Sequence, residues 1–332
     1  MRIDPLLRAL SDPTRLRILR LLAHMELAVG ELAQVLGQSQ PRVSRHVRIL
    51  CDAGLAERRK EGSWVFLRNA TSESSGPPLA RAAARLLTVA EQDDALFAEQ
   101  CGEDRRHLAA IRAAREASAI AYFARHAQEW DKLRSLHMPD APVEAALEAM
   151  LTKAPLGALL DVGTGTGRMA ELLAPHADRV TGLDKSPDML RIARARLQAL
   201  PADKIDLVQG DFGALPFADG SFDSVLFHQV LHYAQDPGTV LAEAARVARP
   251  DARIAVVDFA AHDREELRER HAHARLGFSD EQMLGLLSEC GFDAEPPLAL
   301  AGNPLTIKIW TAHKRPAGSS AANSRKQETL SQ

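Results

Sequence analysis

The 332-residue sequence has little of several residue types that mark particular protein classes. Its three cysteines are far apart and show no paired spacing, so neither a disulfide framework nor a zinc site is expected. No apolar run reaches the length of a membrane span, and no signal-peptide pattern opens the chain. We therefore expect a cytoplasmic protein without membrane association and without a bound metal.

Charge is unevenly distributed along a chain whose net charge is only −3. Residues 1–70 hold twelve Lys and Arg against seven Asp and Glu, a balance of +5 that leaves −8 for the remainder. A basic segment on an otherwise acidic chain is typical of a DNA-binding module joined to an enzyme. With 46% hydrophobic residues, the chain has enough apolar side chains for two cores.

The segment from Leu159 to Arg168 reads Leu-Leu-Asp-Val-Gly-Thr-Gly-Thr-Gly-Arg, which predicts a strand, a glycine-rich turn and the start of a helix. Glycine permits a tight turn and close approach of a ligand, and the new helix offers unpaired N–H groups. The dinucleotide fingerprint Gly-x-Gly-x-x-Gly is not met, because the third glycine comes one residue early. An ordinary glycine-rich turn in another α/β domain is the alternative.

With Asp161 two residues before the first glycine, this segment resembles motif I of the class I S-adenosylmethionine (SAM) methyltransferases. A carboxylate near the loop suits the cationic sulfonium of SAM better than it suits a pyrophosphate. Leu215-Pro-Phe, Phe222-Asp and Asp236-Pro match the type 11, UbiE-like, small-molecule enzymes. The resemblance covers about residues 121–295 and implies SAM as the cofactor.

Strand and helix signals alternate after residue 141, which predicts an α/β domain with a mostly parallel sheet. The resemblance implies a Rossmann-like domain of seven strands that ends in a reversed hairpin. The predicted strands are 158–162, 179–183, 205–209, 221–227 and 253–259, with a late pair near 292–300 and 305–313. Ligands in such sheets bind at the carboxyl ends of the strands.

Side chains at those strand ends form the predicted cofactor site. Asp184 would accept both ribose hydroxyls, as acidic residues do in other nucleotide folds. The match to the type 11 enzymes places Asp211 and Phe212 at the adenine, and His228 and Gln229 near the methionine part. The expected cofactor-binding residues are Asp161, Gly163, Thr164, Gly165, Gly167, Asp184, Lys185, Met189, Asp211, Phe212, His228, Gln229 and Tyr122.

Residues 121–131 are denser in aromatics than the rest of a chain that is only 5% aromatic. The segment resembles the Tyr-Phe…Trp-Asp run that precedes the core of many small-molecule methyltransferases and folds over the cofactor there. The resemblance implies that Tyr122 or Trp130 closes the site against water. Plain packing of these rings within the domain is the alternative.

No residue of the sequence stands out as the catalytic base. The sulfonium is already activated, so alignment of the acceptor dominates, and a base is needed only where the acceptor must lose a proton. The candidates are His228, His232, Tyr233, His271 and His273, and each histidine has a solvated or packing role as its alternative. The signature Asn-Pro-Pro-Tyr is absent, which disfavours methylation of DNA bases.

Residues 1–70 predict short helices followed by a hairpin. Apolar spacing predicts helices at 4–10, 14–22 and 29–36, and a fourth at 40–51 after the N-cap Ser39. Strand propensity at 64–67 and a turn at Glu61-Gly62 complete a winged helix, whose helix at 40–51 would enter the major groove. A basic surface of structural role is the alternative. The expected DNA-binding residues are Ser39, Gln40, Arg42, Ser44, Arg45, His46, Arg48, Arg58, Arg59 and Lys60.

This segment resembles the ArsR type of winged-helix repressor in Leu10–Leu19, Ser39–His46 and Leu50–Leu55. The resemblance implies binding to a double-stranded DNA operator as a homodimer. Metal-sensing members carry two cysteines in the third helix, where this chain has Ala28 and Gly30. Because thiolate is the soft ligand that such a sensor requires, metal sensing at that place is not expected.

The patterns together predict a winged helix at 1–72, a helical connector at 73–140, the methyltransferase domain at 141–313 and a disordered tail at 314–332. The composition of Thr71–Pro78 predicts a linker. The stretch from Leu79 to about Trp130 predicts one long helix, whose apolar stripe requires a partner surface and which we interpret as the dimer element. A helix packed only on its own chain is the alternative.

Two functions are compatible with this organisation. In the first, a dimeric DNA-binding transcriptional regulator carries an active methyltransferase that acts on a small-molecule acceptor. In the second, the domain is a non-catalytic sensor, and SAM or S-adenosylhomocysteine alters the affinity of the repressor for DNA. The lack of a clear catalytic base motivates the second function.

Overall fold

The computed structural model describes residues 2–23, 25–61, 64–70, 77–130, 140–302 and 304–316. The chain divides into two compact units, residues 1–118 and residues 119–332. The predicted linker at 71–76, the hairpin turn at Gly62 and the predicted tail from 317 onward lie outside the described residues.

The first unit is a winged helix followed by two further helices. Its elements are α1 (Ile3–Leu10), α2 (Pro13–Leu22), β1 (Leu27–Ala28), α3 (Val29–Val35), α4 (Gln40–Asp52), β2 (Ala56–Glu61), β3 (Trp64–Asn69), α5 (Pro78–Asp93) and α6 (Ala95–His126), of which α6 continues into the second unit. The three strands form an antiparallel sheet in the order β1-β3-β2, so the predicted hairpin gains one short strand.

The helix boundaries of the winged helix follow from local capping. Asp12 accepts a hydrogen bond from the backbone N–H of Arg15 at 3.1 Å, and Pro13 opens α2. Ser39 stands at the N-cap of α4, but its side chain makes no capping hydrogen bond. The buried face of α4 consists of Val43, Val47 and Leu50.

The prediction of one long helix after residue 79 is wrong at Asp94. This residue separates α5 from α6 and accepts hydrogen bonds from the backbone N–H groups of Leu96 and Phe97, at 3.0 and 3.1 Å. A carboxylate that binds these two donors starts a new helix, which is the reason for the break. The interruption divides the apolar stripe, on which the long-helix prediction was based, between two helices.

Both connector helices pack on the winged helix of their own chain. Leu87 and Leu108 belong to its hydrophobic core. Arg17 of α2 forms a forked ion pair with the buried Asp104, with Nε to Oδ2 at 2.7 Å. Arg20 donates from Nε to Glu91 at 2.6 Å. One face of the connector helices therefore packs on the same chain, as the alternative interpretation of the apolar stripe expects.

The second unit is a Rossmann-like α/β domain. After the end of α6 its elements are α7 (Asp140–Leu151), β4 (Ala158–Val162), α8 (Arg168–Leu173), β5 (Arg179–Asp184), α9 (Pro187–Leu197), β6 (Ile205–Gln209), β7 (Phe222–His228), α10 (Pro237–Val247), β8 (Ala248–Phe259), α11 (Glu266–His271), α12 (Asp280–Glu289), β9 (Phe292–Ala294), β10 (Leu298–Leu300) and β11 (Ile307–Lys314).

The sheet confirms the predicted mostly parallel architecture. Strands β6, β5, β4, β7 and β8 are neighbours in that order and run parallel. Strand β11 is antiparallel to β8, and both β9 and β10 pair with β11. The sheet has eight strands rather than the predicted seven, because Pro296 and Pro297 lack the N–H donors that would join β9 to β10.

Several strand boundaries differ from the prediction, and the start of β8 differs most. Strand β8 begins at Ala248, five residues before the predicted Arg253, and its register to β7 shifts between Phe222 and Ser224. At the end of the domain, β11 includes Lys314. The prediction of a disordered tail is wrong at Arg315, whose Nε donates to Asp293 at 2.7 Å and whose backbone N–H donates to Gly291.

Alternating residues of the sheet build two hydrophobic cores. Leu159, Leu226 and Val257 face α7, α8 and α9, whereas Leu160, Phe227 and Val256 face α10 and α12. Helices on both faces bury the strands and leave the carboxyl ends of the parallel strands as the open edge for a ligand. Within the described residues, no helix combines the length and the apolar character that a membrane span requires.

Candidate cofactor site and nucleic-acid interface

The glycine loop connects β4 to α8 at the carboxyl edge of the sheet. Gly163, Gly165 and Gly167 all have positive φ angles, of 69°, 55° and 81°. The backbone N–H groups of Gly163 and Thr164 donate to the carbonyl of Leu183 at 2.7 and 2.9 Å, which ties the loop to the end of β5. The backbone of this loop therefore requires glycine at these positions, as the sequence predicts.

Neighbouring side chains close in on the loop from two directions. A Cβ added at Gly163 would overlap the Cγ2 methyl of Val230. Nε1 of Trp130 lies 3.7 Å from the position that a Cβ on Gly165 would take. Trp130 thus lies beside the loop, as the resemblance of residues 121–131 implies.

Buried carboxylates hold the loop in shape. Oδ2 of Asp161, which is 1% exposed, accepts a hydrogen bond from the hydroxyl of Thr164 at 2.6 Å. Asp184 accepts hydrogen bonds from the backbone N–H groups of Gly165 at 2.9 Å and of Ser186 at 2.8 Å. Burial raises the pKa of Asp184 above its usual value, against these hydrogen bonds. Asp184 is half-buried as a whole residue and stands at the carboxyl end of β5, the edge at which ligands of such sheets bind.

The next strand end carries an ion pair. Nζ of Lys185 lies 2.7 Å from Oδ2 of Asp211, and the backbone N–H of Gly213 donates to Oδ1 at 2.7 Å. Burial by itself would raise the pKa of Asp211, but the Lys185 ammonium and this N–H hold it below the usual value. The ammonium of Lys185 is therefore committed to Asp211.

Four further predicted residues have well-defined positions. Met189 is buried in the first turn of α9, and its backbone N–H donates to Ser186 Oγ at 3.3 Å. Phe212 packs against the core on the α10 side. His228 ends β7, and Gln229 follows with a φ of 52°, a left-handed conformation that is costly for a residue other than glycine. The next residue, Val230, lies against the glycine loop.

Four of the five candidate bases, His232, Tyr233, His271 and His273, gather in an aromatic cluster within the second unit. His232 and Tyr233 lie on the 3₁₀ turn Leu231–Tyr233 that follows β7. His273 stacks on His232, with 4.1 Å between ring centroids, and Tyr233 contacts Phe123 at 4.8 Å. Burial raises the pKa of Tyr233 well above its usual value, so its hydroxyl is protonated near neutral pH.

Tyr122 and His271 form the outer part of this cluster. The hydroxyl of Tyr122 lies 2.8 Å from Nδ1 of His271. Burial lowers the pKa of His271, and the nearby His126 acts in the same direction. Burial also raises the pKa of Tyr122, so both groups are neutral near pH 7. The hydroxyl of Tyr122 is thus engaged with His271, and the role of Tyr122 in cofactor binding stays a prediction.

Two residues that the sequence argument missed take part in this edge of the sheet. Asp258, near the end of β8, accepts a hydrogen bond from Nδ1 of His232 at 2.7 Å. Its acidity in the otherwise apolar run Ile254–Phe259 was the available signal. Arg168, at the place where the dinucleotide fingerprint has glycine, pairs instead with Glu144 of α7 at 2.6 Å.

The charged side chains at these strand ends fit SAM rather than a phosphate-bearing ligand. Two carboxylates, those of Asp184 and Asp211, lie at neighbouring strand ends, and the ammonium of Lys185 is already paired. Carboxylates accept hydrogen bonds from hydroxyl and amino groups and attract a cation, whereas they repel a pyrophosphate. When bound, SAM supplies a methyl group that is activated by its sulfonium.

In the first unit, the exposed face of α4 and the strand β2 carry most of the predicted DNA-binding side chains. Ser39, Gln40 and Ser44 are exposed there. Five cations are exposed and make no hydrogen bond or ion pair with the described part of the chain: Arg42, Arg45, Arg48, Arg58 and Lys60. Unpaired guanidinium groups beside a buried Val43–Val47–Leu50 face are what a helix requires to contact phosphates and base edges.

Two predicted DNA-binding residues are instead held within the unit. His46 is partly buried, and its Nδ1 lies 3.6 Å from Asp12; burial lowers its pKa against the attraction of that carboxylate. Arg59 donates to Glu61 at 2.9 Å and to Glu26 at 3.2 Å, and it stacks over the ring of Phe66. Both residues stabilise the winged helix in this arrangement.

The two positions at which metal-sensing ArsR members carry cysteines have no metal-binding side chain in this chain. Ala28 is buried in β1 and Gly30 lies in α3. Among the residues that the structure describes, no group of three His, Cys, Asp or Glu side chains is arranged to hold a metal ion.

Parts of both units match known protein families. The model of the bacterial regulatory protein ArsR family matches residues 12–58, and that of a methyltransferase domain matches residues 160–256. A 37.1 kDa protein of transposon TN4556 from Streptomyces fradiae is 42% identical over 92 residues, 28% of this chain and 26% of that protein. Demethylmenaquinone methyltransferase of Tropheryma whipplei (strain Twist) is 37% identical over 139 residues, 41% of this chain and 57% of that enzyme.

The chain thus spans about a quarter to just over half the length of these two curated relatives. Among solved structures, the 1,6-didemethyltoxoflavin-N1-methyltransferase of Burkholderia thailandensis, with bound S-adenosylhomocysteine, is 23% identical with a TM-score of 0.46. That match covers 60% of this chain and 89% of the other. The chain thus joins a region that matches the ArsR regulatory family, residues 12–58, to a region that matches a methyltransferase domain, residues 160–256.

Proposed function

We propose that this protein is a DNA-binding transcriptional regulator whose second unit transfers the methyl group of SAM to a small molecule. The observation that carries the proposal is the glycine loop together with Asp184, whose carboxylate fixes the Gly165 N–H at the carboxyl end of β5. Asp184 would bind the ribose hydroxyls, and Asp211 the adenine amino group.

The aromatic cluster supports transfer of the methyl group to an acceptor, rather than binding of SAM as a signal alone. Trp130 lies beside Gly165, and Phe123 and Tyr233 lie against it at 5.2 and 6.4 Å between centroids. Rings in these positions exclude water, which protects an activated methyl group from hydrolysis and orients a flat acceptor. The named substrate of the Tropheryma whipplei relative, demethylmenaquinone, is a small molecule.

Calorimetry and a methyl-transfer assay test this proposal. The full chain is titrated with SAM and S-adenosylhomocysteine, and it is then incubated with methyl-labelled SAM and a small-molecule extract. Tight binding of both ligands and a labelled low-molecular-weight product are expected. Absence of SAM binding would refute the cofactor assignment. Binding without any labelled product would refute methyl transfer alone.

We further propose that the protein acts on DNA as a homodimer through an apolar face of the first unit. Ile3 and Leu7 of α1 are 53% and 59% exposed, and Leu86 and Val89 of α5 are 57% and 49% exposed. Large exposed apolar side chains on two helices of one unit are typical of an interface. Leu86→Glu should give a monomer in sedimentation experiments and weaken operator binding, whereas Leu298→Glu, at an exposed leucine of β10, should leave the dimer intact.

A SAM- or S-adenosylhomocysteine-sensing repressor is the second candidate function. One helix, α6, carries both Asp104 and Arg115, which bond to the winged helix, and Tyr122 and Phe123 of the aromatic cluster. An element shared in this way favours coupling between ligand binding and DNA binding. Operator affinity measured with and without each ligand decides the matter, since an unchanged affinity excludes the sensor.

A further inference from the structure

His232 and Asp258 form a pair that the cofactor site does not use. Both side chains are almost fully buried, at 2% and 0% exposure. Asp258 accepts hydrogen bonds from Nδ1 of His232 at 2.7 Å, from its backbone N–H at 3.1 Å, and from the backbone N–H of Phe259 at 2.8 Å. This network fixes the ring and places the hydrogen of the neutral imidazole on Nδ1.

The other ring nitrogen is left with a lone pair. Nε2 of His232 is buried and has no hydrogen-bond partner among the described residues. A buried polar atom without a partner costs free energy, so its retention in a well-packed domain points to a role that a ligand completes. An imidazole held by a carboxylate at one nitrogen and open at the other is the arrangement of a general base.

Two connections link the His232–Asp258 pair to the glycine loop. Along the chain, His232 comes two residues after Val230, whose methyl group touches Gly163. Through the aromatic rings, His232 contacts Tyr233 at 4.1 Å, and Tyr233 contacts Trp130, which lies beside Gly165. A proton acceptor at this place is within the region where the methyl acceptor must bind.

The surroundings indicate the class of acceptor. Tyr233 and Phe259 contact the ring of His232, at 4.1 and 5.2 Å between centroids, and Phe123 packs edge-on against Tyr233 at 4.8 Å. An aromatic environment of this kind suits a flat aromatic molecule. An uncharged amine already has a free lone pair, whereas a phenol, with a pKa of about 10, is protonated near neutral pH and gains most from a base.

We propose that His232 is the catalytic base, that Asp258 is its positioning residue, and that the acceptor is an aromatic hydroxyl; this rests on the methyl transfer proposed above. In the step, Nε2 of His232 gains the hydroxyl proton and the acceptor oxygen gains the methyl group. The sulfonium sulfur keeps the electron pair of the broken S–C bond, so the products are the methyl ether, S-adenosylhomocysteine and an imidazolium balanced by Asp258.

His232→Asn is the most informative variant, because the Asn amide keeps a donor near the position of Nδ1 and has no atom near that of Nε2. Asp258→Asn removes the carboxylate instead. His176→Asn is the matched control, since His176 pairs with Glu148 at the surface. Calorimetric SAM binding and thermal unfolding of the full chain report whether each variant is folded.

Activity is measured with phenol, catechol, a nitrophenol that is already largely ionised at the assay pH, aniline and thiophenol. The loss of kcat/KM for His232→Asn should be about 100-fold or more with catechol or phenol, and far smaller with the ionised nitrophenol. Asp258→Asn should show the same dependence on the acceptor, and His176→Asn should match the wild type. SAM binding should be unchanged in all three variants.

Different results overturn different parts. An equal loss with phenol and with the nitrophenol assigns His232 a structural role and overturns the base. Wild-type transfer only to aniline or thiophenol overturns the acceptor class and leaves the proposed methyltransferase function intact. Wild-type SAM binding without transfer to any of the five acceptors overturns the aromatic-hydroxyl acceptor, whereas the proposed methyl transfer is decided separately by the small-molecule extract.

Discussion

At the glycine loop of the second unit, polar side chains bond to one another and to the backbone, whereas on α4 of the first unit they project unpaired into solvent. Asp161 holds Thr164, Asp184 holds the Gly165 N–H and Lys185 holds Asp211. Arg42 and Arg45 have no such partner among the described residues. The bonds that shape the cofactor site therefore also hold the fold together, whereas the exposed cations of α4 take no part in holding the first unit together.

This difference has a consequence for substitutions. A change at the loop edge must alter local structure together with ligand binding, because the same atoms serve both. A change on the exposed face of α4 can alter DNA binding without altering stability, because the lost groups contact only solvent. The two regions should thus separate when stability and binding are measured in the same variants.

The largest effect is expected for Asp184→Ala. The variant loses the carboxylate that would accept the ribose hydroxyls and frees the Gly165 N–H. With two charge-assisted hydrogen bonds at about 1.5 kcal/mol each, SAM affinity should fall about 100-fold or more. Calorimetry measures the affinity, and DNA binding by the same full-length variant is measured in parallel.

Asp203→Ala is the control, since Asp203 is exposed in the same unit. It should bind SAM as the wild type does. If Asp184→Ala kept normal SAM affinity, the identification of the strand end as the ribose site would be wrong.

Gly163→Ala should follow, with an effect on stability as well as on binding. The left-handed φ of 69° and the overlap with Val230 act together, so the free energy of unfolding should fall by at least about 2 kcal/mol. SAM binding should weaken because the loop moves. Thermal and urea unfolding provide the measurement.

Gly285→Ala is the matched control of opposite sign. Gly285 lies in α12 with nothing within 4 Å of an added Cβ. The substitution should raise the free energy of unfolding by about 0.5–1 kcal/mol, because alanine favours the helix. Equal destabilisation by the two alanines would contradict the strained-loop account.

The sequence predicts the loop better than its surroundings, for a physical reason. Positive φ at Gly163 and a carboxylate at Asp184 are local requirements, so they leave a local pattern. The pairing of His232 with Asp258 joins two strand ends that lie 26 residues apart, and no local rule indicates it. The same limit applies to Arg59, whose partner Glu26 is 33 residues away.

The connector illustrates a different limit. Composition and apolar spacing predict helix correctly from Leu79 onward, but a single side chain, Asp94, redirects two backbone N–H groups and ends the run. Capping competes with helix continuation by a small free energy, so spacing alone does not locate the break.

Arg58 and Arg59 offer a comparison between neighbours on the wing. Arg58 is exposed and unpaired within the described residues, so Arg58→Ala should lower the slope of log affinity against log salt by about 1, with stability unchanged. Arg59 binds Glu26 and Glu61, so Arg59→Ala should lower the free energy of unfolding by about 1 kcal/mol. Fluorescence anisotropy with a promoter duplex at several salt concentrations measures the first effect, and thermal unfolding the second. Reversed outcomes would place the DNA contact at Arg59.

The smallest effect is expected for Lys185→Met. Burial favours the neutral form of Asp211, but the Lys185 ammonium and the Gly213 N–H hold its pKa below the usual value. The pair therefore stabilises the fold above the unfolded-state pKa of about 3.9, and the contribution is lost as pH falls through the lower folded-state value. In Lys185→Met the loss should begin at higher pH, and at neutral pH the difference should stay below about 1 kcal/mol, because both side chains are partly exposed.

Urea unfolding from pH 3 to 7 measures this difference, with Lys204→Met as the control for removal of a lysine charge from the same unit. The two variants should diverge only in acid, where Asp211 protonates earlier in Lys185→Met. A stability difference that does not depend on pH would mean that Lys185 acts through packing of its alkyl chain. In that case Lys185 would stabilise the loop edge through packing, and the charges of the Lys185–Asp211 pair would contribute little.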